Sequence, residues 1–164
     1  MAILNTDIKF RLSGGAANAV ALAALGGAKS SVDMGTSLLN DVTSAEALAG
    51  DIEYRCFYVH NAHATLAMIT PKFWLEANTP SPTTTLDVGL GTSALNGTEQ
   101  TIASVTTAPT GVSFSAATNE AGGIDLGDIP AGQHRAIWVR RTVNAATVAV
   151  NETATLRVKC DTAA

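Results

Sequence analysis

Between Gln133 and Val143 the side chains sort themselves with a period of two. Ile137, Val139 and Val143 fall on one side, and His134, Ala136, Trp138, Arg140 and Thr142 on the other. Only a strand separates neighbours in this way, because successive Cβ atoms point to opposite faces of a sheet. The same rhythm returns in Thr153–Cys160, where Leu156, Val158 and Cys160 oppose Thr155, Arg157 and Lys159. It also marks residues 5–12, with Ile8, Phe10 and Leu12 against Asp7, Lys9 and Arg11. Asp51–Asn61 carries Ile52, Tyr54, Cys56 and Tyr58 on one face and Phe57 and Val59 on the other, which predicts a strand covered on both sides. In Thr83–Leu90, Leu86, Val88 and Leu90 point inward. Thr65–Ala77 reads as a strand with Pro71 in its middle, which demands an edge or a bulge there.

Shorter β-like pieces stand at Glu99–Val105, Gly111–Ser115 and Gly123–Leu126, and turns are predicted over 78–82, at Asn96-Gly97 and over 128–132. Seven to nine short strands at roughly ten-residue spacing predict an all-β, antiparallel β-sandwich, immunoglobulin-like or jelly-roll. The strand order stays open.

Residues 13–50 have another texture. Glycine pairs interrupt alanine-rich patches at Ala16–Leu25 and Ser44–Ala49, and no aromatic residue occurs. Short helices between glycines are marginal alone. A stretch this long without strands is unusual inside a domain. It reads as an extended arm or surface excursion that docks on a neighbour. The chain thus divides into 1–49, a strand plus arm, and 50–164, the sandwich. Ala16–Leu25 is too short to span a bilayer, and alanine makes a weak leader core, so neither a membrane anchor nor a secretory leader is expected.

Charged residues make up 15% of the 164, against the usual value of about 25%. The net charge is −4, and the one dense basic cluster is Arg135, Arg140 and Arg141, so nucleic acid is not an expected partner. A surface rich in small neutral side chains is easily desolvated, which suits a protein covered by neighbours. Cys56 and Cys160 lie in strand-like apolar segments and read as buried thiols in a reducing compartment.

Candidate chemistry is thin. Cys56, His60, His63, His134 and Cys160 are zinc-ligand types, but no second closely spaced pair completes a tetrahedral set, so no metal and no cofactor is expected. No nucleophile elbow occurs, and Gly89-Leu-Gly-Thr-Ser lacks the lysine of a phosphate loop. No catalytic residue is assigned and the chain does not read as an enzyme. Asn96-Gly-Thr and Asn151-Glu-Thr match the glycosylation sequon by chance in a threonine-rich chain. Trp138 beside Arg135, Arg140 and Arg141 is either a core tryptophan flanked by strand arginines or a stacking platform for a sugar.

The stretch DIPAGQHRAIWVRRTVNA from Asp128, with NTPSPTTTLDVGLG at 78–91 and APTGVSFS at 108–115, resembles a group of tailed-bacteriophage virion proteins of about this length. DIKFRLSGGAAN near the N-terminus and GDIEYRCFYVHNAH at 50–63 carry the same likeness. The resemblance implies a structural virion component assembled in the host cytoplasm. A head decoration or cement protein bound to major capsid subunits comes first, a tail, baseplate or adaptor protein second. It also implies symmetric copies, hence a homo-oligomer. A carbohydrate-binding or adhesin module is the reading from another class. The residues expected at the subunit contact are Leu22, Leu25, Leu38 and Leu39 of the arm, and Arg140 and Arg141.

Overall fold

The strands and one short helix form where the period-two and alanine-rich segments stand, and they run in this order through the computed structural model, which describes residues 2–78, 83–146, 148 and 153–162. They are β1 (Ile8–Leu12), β2 (Gly26–Gly27), α1 (Ser44–Ala49), β3 (Asp51–Asn61), β4 (Met68–Asn78) and β5 (Thr84–Leu90). β6 (Glu99–Thr101), β7 (Ile124–Asp125), β8 (His134–Val143) and β9 (Ala154–Thr162) follow. The four-stranded sheet has the order β1-β3-β8-β5 and the three-stranded sheet β7-β4-β9, while β2 pairs with β6. Every pairing is antiparallel. The architecture is the all-β sandwich that the alternation predicts.

The core between the sheets is built from the inward row of each strand. Phe57, Val59, Val88, Ile137 and Val139 meet Phe73, Leu75 and Met68, with Leu156, Val158 and Cys160 packed against them. Phe10, Phe57 and Phe73 interlock, with ring centroids 5.7 Å apart for Phe10–Phe57 and for Phe57–Phe73. Such tilted pairs add to simple area burial. Pro71 sits where the β4–β9 register slips between Ile69 and Lys72, and Thr70 there takes a φ of 46°. Proline cannot donate to the ladder, so the strand bulges around it.

The opposite face of the large sheet is covered too. Tyr54, Cys56, Tyr58, Ala136 and Trp138 form a second buried cluster, closed by Ile102 and flanked by Leu25, Val112 and Phe114. Its cover comes from residues 13–30 and 99–115. Gly26 makes the close pairing with β6 possible: a Cβ there would run into the Gln100 carbonyl oxygen.

Residues 13–42 form the long surface excursion expected for 13–50, and they dock on this chain's own sandwich. The first half lies on the outer face of the large sheet, with Ala24 and Ser30 fully buried. The second half runs beside β1, where Leu12 N–H donates to Val32 O and Met34 N–H to Phe10 O. It then enters the end of the sandwich with Leu38. The reason is the exposed apolar area that a bare sheet would present: Trp138 and Tyr58 need a cover that the strands do not supply. The boundary at 49/50 consequently separates no independent core. The turn expected over 78–82 and the sequon at Asn151 lie outside the described residues beyond Asn78.

Candidate interaction surface

The six residues expected at a subunit contact have different fates. Leu22 is 53% exposed in a one-turn segment, Ala21–Ala23, next to the exposed Val20. Leu25 is half-buried against the Trp138 cluster, Leu38 is in the main core, and Leu39 packs against it. Those three serve this chain's own packing. Arg140 is half-buried on the outer face, where Nη2 lies 2.6 Å from Asp87 Oδ2 and the guanidinium lies 5.1 Å from the Phe114 ring centroid.

Arg141, its neighbour in sequence, points the other way. It is buried on the inner face, opposite Glu53 in the β3–β8 register, and it ion-pairs with that carboxylate while Nη1 donates to Asn40 O at 2.5 Å. Arg55 is buried beside the same acid, with its Nη2 3.9 Å from Glu53 Oε1. Burial lowers the Arg55 pKa, and Glu53 partly offsets this. An ion pair is thus spent inside the chain. The signal was present in the alternation: Glu53 and Arg55 occupy the same odd positions as Phe57 and Val59, so their charges had to meet partners indoors.

A second polar cluster fastens the cover. Ser13 Oγ donates to Cys56 O at 2.8 Å and accepts from Gly26 N–H. Tyr58 OH donates to Gly27 O and accepts from Glu99 N–H at 3.0 Å. Glu99 is buried, which alone would raise its pKa, but bonds from Ser93 N–H, Thr92 and Gln100 N–H bring it below the ordinary value. Burial pushes the Cys56 thiol and the Tyr58 phenol well up. These are structural partners of neutral or satisfied groups, and sequence reading passed over them because serine and tyrosine fasten backbone only once the chain has folded.

The metal-type residues do not converge as a set. His60 and His134 face each other across β3 and β8 with ring centroids 6.5 Å apart. His63 instead accepts the N–H groups of Thr65 and Leu66 in the following turn. Cys56 and Cys160 are free thiols on different sheets. Among the described residues the group of acids and ligand types whose donor atoms come within 4.8 Å is Glu46, Asp51 and Glu53. Glu53 is held there by arginine, and Glu46 is the capping-box acid of α1, accepting from Thr43 N–H.

Several large apolar side chains remain outside. Leu4, Val20, Leu22, Leu48, Ile52 and Val148 are exposed large hydrophobic side chains. Trp138 is fully buried and cannot stack on a sugar. Among the described residues no helix is long and apolar enough to cross a membrane. Comparison with family models, with curated proteins and with solved structures finds no match to this chain.

Proposed function

We propose that this chain is a structural subunit of a tailed-phage virion, first of all a decoration or cement protein that covers major capsid subunits. The observation that carries the reading is the surface. Few charges are left on it, and several of those are already paired, as in Arg140–Asp87, Lys72–Asp125 and Lys159–Glu120. Exposed Leu4, Val20, Leu22, Leu48, Ile52 and Val148 stand among small neutral residues. Contacts of this kind desolvate cheaply and repay burial, which is what a coat protein requires. The segment resemblances to virion proteins point the same way. Of the residues expected at the contact, Leu22 is exposed, as are Val20 and Leu48 beyond them, and these support the reading, while Leu25, Leu38, Leu39 and Arg141 are engaged within the chain.

Immunogold labelling of the phage particles that carry this gene tests the reading. Label over the heads supports decoration, label on tails supports the tail or baseplate alternative, and unlabelled particles overturn both. Within the head reading, Leu22→Asp weakens binding to the particle by tenfold or more, about 1.4 kcal/mol, without changing the circular dichroism of the free protein.

A further inference from the structure

His60 and His134 stand opposite each other at one end of the outer rows of β3 and β8, the rows that carry Tyr58 and Ala136. Each ring meets a carbonyl oxygen through Nε2, His60 at Gly132 O (3.2 Å) and His134 at Gly97 O (3.3 Å). A carbonyl only accepts, so Nε2 carries the hydrogen and Nδ1 is left as the bare nitrogen of a neutral ring. Among the described residues neither Nδ1 has a hydrogen-bond partner, and both are buried. A proton added to either would make a buried N–H without an acceptor, on a charged ring.

The surroundings raise that cost. Lys9 lies opposite His60, and Arg11 opposite Tyr58, in the β1–β3 register, on the same side of the sheet. Lys29 reaches both rings from the covering segment. Of the acids nearby, Asp33 favours a charged His60 but is exposed and bound to Arg11 at 3.1 Å. Glu99 is engaged with Ser93 N–H, Thr92 and Gln100 N–H. Burial, with Lys29 adding to it, lowers both histidines, His134 from 6.5 to about 4.

These rings also touch what fastens the cover. His134 stands edge-on to the Tyr58 ring, with centroids 4.8 Å apart. Tyr58 OH ties β2 and β6 to the large sheet, donating to Gly27 O and accepting from Glu99 N–H. Two further backbone bonds run from the cover to β3, Cys56 N–H to Ala24 O and Tyr54 N–H to Val105 O. β3 and β8, in contrast, pair over ten residues, and their inner row packs against Phe73 and Leu75 on the side away from both histidines.

We propose that His60 and His134 form an acid-sensitive latch: when they take up protons, the cover of residues 13–30 and β6 lifts and exposes Cys56, Tyr58 and Trp138, while the two sheets stay folded. The latch rests on the cover and is independent of the virion reading.

The test follows the Cys56 thiol of the full chain with a dipyridyl disulfide, which reacts with thiols at acid as well as neutral pH. Peptide mapping by mass spectrometry separates Cys56 from Cys160, and each rate is taken relative to glutathione at the same pH. An open state that protonates His134 near 6.5, against about 4 when closed, gains roughly fiftyfold in population between pH 7 and 4.5. The relative rate at Cys56 should rise as much. Its urea dependence should be weaker than that of global unfolding, because a local opening exposes less surface. Far-UV circular dichroism should stay constant over the same range. His60→Gln with His134→Gln should flatten the rise, and His134→Gln alone should cut it sharply. Constant Cys56 reactivity in the parent overturns the latch, as does a rise accompanied by loss of the β signal or by the full urea dependence of unfolding. An undiminished rise in either folded variant overturns it too, and the parent's own pH and urea profiles decide the matter if neither variant folds.

Discussion

His134 and His60 lie opposite each other across β3 and β8, and both are held neutral. Burial lowers His134 from 6.5 to about 4, helped by Lys29 and His60, while a bond to Gly97 O works against the shift. An unfolded chain takes up a proton at this ring near 6.5, the folded chain only near about 4. The stabilisation is therefore complete above pH 6.5 and lost as pH falls toward 4, about 3 kcal/mol for His134. Urea midpoints measured from pH 7 to 4.5 should fall less steeply for His134→Gln than for the parent; parallel curves would contradict the assignment. Glu53 makes the opposite demand. Glu53→Gln strands two buried guanidinium groups and should cost about 3–5 kcal/mol. Adding Arg141→Met should recover part of that loss in chemical denaturation, because one stranded charge is removed. The Glu53–Arg141 pair was half legible in sequence, since both sit on strands of clear period, but their register was not: pairing depends on how two distant segments slide together.

At the scale of elements, the covering segment 13–30 and α1 behave differently. Replacing residues 14–28 with a short Gly/Ser linker uncovers Cys56, Tyr58 and Trp138 and should cost more than about 3 kcal/mol, the burial of one or two large side chains. In the intact protein the Cys56 thiol is buried and its pKa raised, so it should resist a disulfide reagent such as DTNB. In the deletion it should react promptly, and a persistently silent Cys56 would show that another segment covers it. Thr43→Ala removes only the cap of α1, worth about 1 kcal/mol, and should fray that helix without touching the sheets. Strands β3, β8 and β9 were readable because alternation is a local property of each. The cover was not readable: Gly, Ala and Ser in 13–30 have no period, and they pack because the aromatic face beneath leaves room only for small residues.

Across the whole molecule, the two cysteines are free thiols, and burial, hydrogen bonds and ion pairs hold the described residues together. Cys56 and Cys160 lie on different sheets, so thermal midpoints with and without reductant should coincide, and a drop on reduction would reveal a linkage between chains. The period of two, the proline in β4 and the shortage of charge determined by themselves that this chain makes an antiparallel sandwich with a neutral surface, since each acts through near neighbours in sequence. Which face of the large sheet needed a lid and where Arg141 found its partner were decided by tertiary structure alone. Those outcomes depend on contacts between residues tens of positions apart, and no local pattern encodes the register and sheet order that bring them together.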